Sequence, residues 1–303
     1  MAPSDLSLAA TSLAVPPRRP RNPVLLFIGR LFREKPLGAV CAVIFVLFLL
    51  CGIFADLLAP YGYNQISPLN RLKPPSMKWP FGTDNLGRDM LSRCLYGAQL
   101  SVIIGFCAAG IATFISVVLG IVSGYLGGKF DLIVQRFVDA WMSFPDLIIL
   151  IVVVSVVGPG MIQIICTLGL LLGIAGSRII RGAVVSVREN MYVHAAQSTG
   201  ASTFRVLWRH ILPNVMAPVI VLFTTRVGTV ILAESGLSFL GLGVPPPAPT
   251  WGGLLSGSGR TYMLQGPWLA LAPGLCLTVV VYATNMFGDA LRDLLDPRMR
   301  GSR

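Results

Sequence analysis

Residue types able to do covalent or metal chemistry are few in this 303-residue sequence, and none of them cluster. Cys41, Cys51, Cys107, Cys166 and Cys276 lie inside apolar runs, Cys94 stands alone outside them, and no CxxC pair occurs. The two histidines, His194 and His210, share one segment with no cysteine near. Neither a disulfide framework nor a zinc site is therefore expected, and the cysteines read as small apolar packing residues. The nearest approach to a phosphate-binding loop is Gly128-Lys129, but Ser123 stands where the first glycine belongs and Phe130 where Ser or Thr belongs. A P-loop needs both, so no nucleotide is expected to bind through this chain. With no GxSxG and no HExxH either, no catalytic residue, metal ligand or cofactor is assigned to it.

What remains is recognition chemistry. From Arg178 to Pro213 the sequence is basic and forms a long interruption of the apolar pattern. Within it a segment rich in Ala and Gln reads as a helix, Gly200 as a turn, and the stretch after it as a second short helix that Pro213 ends. Glycine supplies the positive φ that a helix C-cap needs. A compact helix–turn–helix suits docking into a groove on another protein. The same residues also fit an ordinary basic connecting loop.

These segments are positioned by a membrane bundle. The chain is 54% hydrophobic and 12% charged, with a mean hydropathy of +0.74. Soluble domains carry about 25% charged residues, so a bilayer is the solvent that explains the composition. The net charge of +11 raises nucleic-acid binding as a rival, but the basic residues sit in short segments between apolar runs, and no nucleic-acid partner is expected. The first run, Leu37 to Leu58, reaches about 33 Å as a helix, enough for a hydrocarbon core of about 30 Å. Five further runs follow at Leu100 to Tyr125, Leu132 to Val157, Met161 to Ile180, Val215 to Leu240 and Trp268 to Phe287. The third is interrupted by Arg136, Asp139 and Asp146 and kinked at Pro145, so the count is six spans, or five without it. Gly120 with Gly124, and Gly169 with Gly173, have the spacing that lets helices approach closely in lipid.

The expected organisation is all-α and integral to the membrane. Residues 1–36 form an N-terminal tail, with Val24 to Phe32 as a candidate interfacial helix. A membrane domain covers 37–290, with outer loops at about 59–99 and 241–267 and an inner loop at 178–214, and 291–303 form a C-terminal tail. With the N-terminus inside, the outer segments hold only Arg71, Lys73, Lys78, Arg88, Arg93 and Arg260. Most other basic residues, among them Arg18, Arg19, Arg21, Arg298, Arg300 and Arg303, fall inside. Positive residues favour the cytoplasm, so both termini and the 178–214 loop are placed there.

The inner loop resembles the EAA motif of ABC importer permeases. Ala195, Ala196, Gly200, Leu212 and Pro213 match it, with Ala201 in the same coupling loop, and His194 stands where the family usually has Glu. His210 lies in the same matched stretch. From about Leu37 to Arg298 the chain is similar to the DppC/OppC type of peptide-importer permease. The outer segment Phe81 to Arg93, with Gly82, Thr83, Asp84, Gly87, Arg88 and Asp89, looks like that type's GTDxLGRDxLSR signature. Gly124-Tyr125-Leu126-Gly127-Gly128, Ser143-Phe144-Pro145, Leu237 to Gly243, Gly288 to Asp293 and Asp296-Pro297-Arg298 follow in the same order. The resemblance implies a type I ABC importer permease of the cytoplasmic (inner) membrane of a prokaryote. It further implies a homologous second permease as partner, two ATPase subunits that bind ATP and Mg, an extracytoplasmic binding protein, and a peptide as cargo. Nickel, glutathione or an opine-like solute fits the same class, and an ion-coupled secondary transporter is the rival from another. Under this reading Arg226, about eleven residues into the fifth run, either meets a peptide carboxylate in the pathway, pairs with an acid on a neighbouring helix, or snorkels. Glu234 is the other candidate pathway residue. It lies eight residues on, about 80° around the helix, so no direct pair between the two is expected.

Overall fold

The computed structural model describes residues 23–295. The expectations placed on 1–22 and 296–303, including Asp296-Pro297-Arg298 and the terminal arginines, lie outside the described residues.

An amphipathic helix α1 (Pro23–Glu34) leads into α2 (Pro36–Ile53), the first span, and a short turn of helix α3 (Ala55–Leu58). After the outer segment comes α4 (Met90–Leu126), whose 37 residues are about 55 Å long. It starts ten residues before the apolar run because Asp89 caps it, accepting from the Ser92 backbone N–H at 2.8 Å. Next are α5 (Gly128–Met142), α6 (Asp146–Val157) and α7 (Met161–Arg188). The segment expected inside holds α8 (Met191–Ser198) and α9 (Thr203–Val206), and α10 (Met216–Phe239) follows. A short helix α11 (Trp251–Leu254) precedes the last span, α12 (Trp268–Leu295).

Five of the six expected spans are continuous apolar helices long enough to cross a bilayer. The third is a broken pair, α5 and α6, bent by 81° across Ser143–Pro145. Pro145 has no N–H to give α5 another turn, and the residue before a proline avoids the helical region. At 15 and 12 residues, neither half spans about 30 Å alone.

The core is organised on α4 and α7. Gly97, Ala98, Ser101, Gly105, Ala108, Ala112, Ser116, Gly120 and Gly124 recur along the buried side of α4. A Cβ at Gly120 would stand 2.7 Å from the Ser177 carbonyl oxygen, and one at Gly169 2.8 Å from the Ile111 Cβ. Both expected glycine pairs thus serve one interface. In lipid, where no hydrophobic force drives association, close backbone approach supplies the packing.

The stretch expected as an outer loop at 241–267 is more than a loop. Thr250 caps α11, and residues 255–259 continue it as a wide helical turn. Trp251 is buried between α4, α10 and the Phe48 ring, with its indole N–H donating to the Cys94 carbonyl at 3.0 Å. This returning segment is tied into the bundle on the side opposite α8.

Candidate functional site

The inner segment is shorter as a loop than its sequence suggests. Helix α7 continues through Arg178 and Arg181 to Arg188, so the first third of the expected 178–214 loop is helical. Chain direction reverses at Gly200, where φ is +80°. The Gly200 N–H donates to the Gln197 carbonyl at 2.9 Å and the Ala201 N–H to the Ala196 carbonyl at 3.1 Å. That pair of bonds is a Schellman cap, which needs the left-handed residue that glycine supplies. The next helix is capped by Ser202, whose Oγ accepts from the Arg205 N–H.

Pro213 does not end the second helix, contrary to the sequence reading. Residues 207–211 widen into a π-helical turn and 212–215 tighten into a 3-10 turn. The ladder thereby absorbs the missing N–H, and Thr203–Phe239 runs on as one 37-residue helical stretch into the membrane.

One face of this hairpin is glued down and the other is free. Val193, Val206, Ile211 and Val215 are fully buried in a cluster with Ile180 and Val184 of α7 and Val219 and Leu222 of α10. On the opposite side Met191, Tyr192, Phe204 and Trp208 are exposed, the last two rings stacked at 6.4 Å. His194 and Ala195 are exposed beside them, and Ala196, Ala201, His210 and Leu212 are half-buried. An ordered, capped hairpin that presents Met and aromatic side chains has the composition of a protein-docking surface.

Polar contacts link the hairpin to the bundle. The Gln197 side-chain amide donates to the Tyr125 hydroxyl at 3.0 Å, joining α8 to the end of α4. Arg188 Nη1 donates to the Tyr125 carbonyl at 3.1 Å and the Gly124 carbonyl at 3.4 Å. These are orphan carbonyls of a helix C-terminus, where a cation is favoured. Arg181 grips Asp131 of α5 with two bonds of 2.6 and 2.5 Å, and Arg178 pairs with Asp139 one helical step on. Helix α5 is thus paired to α7 and lies between two joints, Gly127-Gly128, both at positive φ, and the Ser143–Pro145 bend.

The sequence reading singled out Arg136, Asp139 and Asp146 only as flaws in a span. The signal it missed was the two acids at i and i+8 on α5 facing two arginines at i and i+3 on α7. Reversing one charge in Arg181→Asp should destabilise the α5–α7 contact by on the order of 1 kcal/mol, the pair being partly exposed. Adding Asp131→Arg should restore it, and thermal melting of the single and double variants in detergent measures the coupling.

The outer signature is folded into a small knot at the head of α4. Asp84 is fully buried; its Oδ1 accepts from the Leu86 and Arg88 N–H groups at 2.8 and 2.9 Å, and its Oδ2 from Arg88 Nε at 2.7 Å. Arg93, also buried, lies 3.9 Å from the same Oδ2 and donates to the Tyr63 carbonyl at 3.0 Å. Thr83 receives the Lys73 N–H, donates to the Asn70 carbonyl, and gives its own carbonyl to the Trp268 indole. Gly82 and Gly87 have φ of +70° and +74°, and a Cβ at Gly87 would overlap the Ser67 carbonyl. Every named residue of the signature, with Asp89 as the cap of α4, is engaged in holding the outer segment against α4 and α12.

The two intramembrane charges are separated. Glu234 is 1% exposed, its carboxylate accepting from the Ser238 hydroxyl at 2.6 Å and from Ser235 at 3.4 Å. Arg226 is half-buried in α10, and Asp146 is exposed in the first turn of α6.

Residues 116–301 match the family described as binding-protein-dependent transport system inner membrane component. Residues 28–75 match the N-terminal TM domain of oligopeptide transport permease C. The chain is 39% identical over 268 residues to a dipeptide transport system permease protein DppC of Alkalihalophilus pseudofirmus, covering 88% of each chain. It is 39% identical to the oligopeptide transport system permease protein OppC of Bacillus subtilis, covering 89% of this chain and 88% of that one. It is 37% identical to a glutathione transport system permease protein GsiD of Escherichia coli, covering 95% and 94%. Among solved structures, one of the MetNI methionine ABC transporter in inward-facing conformations is similar in fold. Its TM-score is 0.56 at 15% identity, covering 68% of this chain and 98% of that one.

Proposed function

This chain belongs to the family of binding-protein-dependent transport system inner membrane components, and on that premise we propose that it is the permease subunit of an ATP-driven importer of dipeptides or oligopeptides. It is a transport permease and not an enzyme, with the fold of a type I ABC importer permease. The observation that carries the proposal is the capped hairpin Met191–Pro213, which offers an exposed apolar face from a base fixed to two membrane helices. Both termini and this hairpin lie in the cytoplasm, as the distribution of basic residues favours. ATP and Mg bind in two separate ATPase subunits that grip the hairpin. A homologous second permease completes the pathway, and an extracytoplasmic binding protein delivers the peptide at the outer face.

ATP binds more tightly when the two ATPases are closed, and that difference in affinity is what biases the membrane helices between states. Movement of α8 reaches α4 through Gln197–Tyr125 and α7 through the buried valines. From α7 the two arginine–aspartate pairs pass it to α5, and the joints at either end of α5 turn it into rotation. His194 in place of the usual Glu leaves α8 without a carboxylate there, and docking rests on the apolar face. The likeness to a glutathione permease favours one second reading, a modified tripeptide as cargo.

Purification of the tagged chain from its native membrane, without crosslinker, tests the assembly. A homologous permease and ATPase subunits in fixed stoichiometry are expected, and recovery of the chain alone, from membranes that contain those subunits, would overturn the proposal.

A further inference from the structure

Helix α1 touches the bundle along one narrow line. Leu31, 5% exposed, sits against Ala39 of α2 and Ala290 and Leu294 of α12, flanked by Phe27 and Phe287. Next to it Lys35 pairs with Asp293 of α12 at 2.6 Å. These contacts fix α1 against the C-terminal end of α12.

At about 100° per residue, Phe27 lies about 40° to one side of Leu31, with Ile28 and Phe32 about 60° and 100° to the other. Ile28 and Phe32 are 43% and 54% exposed. The next exposed apolar residues along the chain are Leu37, Val40 and Val43 of α2, which is itself a span. Arg33 falls about 160° from Leu31 and Arg30 about 100° on the polar side. Arg30 shares Glu34 at 3.1 Å, whereas Arg33 has no acidic partner among the described residues. Helix α1 thus combines a protein-facing edge, an exposed apolar edge and a basic edge. A helix with that division lies in the plane of a membrane interface, where each basic residue is attracted to anionic headgroups.

We propose that α1 is a contact site for anionic phospholipid, with Ile28 and Phe32 in the acyl boundary and Arg30 and Arg33 on the headgroup phosphates. Leu31 and Lys35 then tie the inner end of α12 to the membrane surface charge. This rests on the cytoplasmic placement of the N-terminus given above, because the inner leaflet carries the anionic lipid. It goes beyond import chemistry, since it names a lipid on which the position of α12 depends.

Amide hydrogen exchange in nanodiscs tests it, using the purified protein with whichever subunits accompany it. Discs of phosphatidylcholine alone are compared with discs that also contain phosphatidylglycerol. Exchange of the α1 amides should slow roughly tenfold when the anionic lipid is present, while the amides of α4 stay unchanged. The slowing should disappear in R30Q/R33Q, whose exposed positions leave the core intact. In I28S/F32S, protection should fall in both lipids. Equal protection of α1 in both discs, as a covering protein subunit would give, overturns the proposal, and so does slowing that persists in R30Q/R33Q. The measurement uses neither ATP nor peptide, so its outcome and that of the import reading are separable.

Discussion

Gly200→Val should cut peptide uptake by about tenfold or more while the chain still inserts and assembles. Gly200 stands at φ +80° with nothing within 4 Å of where a Cβ would be placed. The damage is therefore in the backbone and not in packing. An L-residue in the left-handed region costs about 1–2 kcal/mol, and a β-branched one is a true outlier there. Relief comes only by releasing the Gly200 and Ala201 N–H groups from the end of α8, which unwinds the cap and redirects the helix presented to the ATPases. The buried Val193 and Val206 keep the rest of the hairpin seated, so hydrolysis should persist without matching transport. The expected order of the ratio of peptide moved to ATP hydrolysed is glycine, then asparagine, then alanine, then valine. Proteoliposomes that carry the full transporter measure it, and wild-type coupling in Gly200→Val would contradict the role assigned to this cap.

Asp84→Ala should have the largest effect on stability, about 3–5 kcal/mol, the range found when one partner of a buried charge pair is removed. One carboxylate holds two backbone N–H groups and Arg88 and stands beside buried Arg93. Its removal leaves the buried guanidinium of Arg93 with only the Tyr63 carbonyl. Asp84→Asn should fall between, because an amide oxygen still accepts the two N–H groups at Oδ1 but gives up the charge. Thermal unfolding in detergent reads both, and an Asp84→Ala melting temperature equal to wild type would remove the outer knot from the account of stability.

The long-range architecture was legible where the bilayer imposes it. Apolar runs of bilayer length mark α2, α4, α7, α10 and α12, and the glycine spacing marks the α4–α7 seam. Gly200 was legible because only a glycine's freedom explains a break between two helical patterns. Pairings between distant segments were not. Asp131 and Arg181 are 50 residues apart, and nothing local in either tells which acid meets which base. Pro145 announced a kink but not an 81° bend, since the angle is set by what α5 and α6 pack against. Pro213 misled for a related reason: a π-helical turn just before it let the helix continue, and that accommodation depends on the buried Ile211 and Val215. The fold of the outer signature was illegible from its residue types, because buried Asp84 and Arg93 look like surface charges in the sequence. Trp251 returned into the bundle through contacts with Cys94 and Phe48, both far away in the chain.

Peptide uptake into sealed proteoliposomes that contain the purified transporter tests the central claim most directly. Uptake should require the binding protein and ATP together, with the nucleotide on the side of the α8 hairpin, and should be unaffected when proton and sodium gradients are collapsed. Uptake driven by an ion gradient without ATP would contradict it.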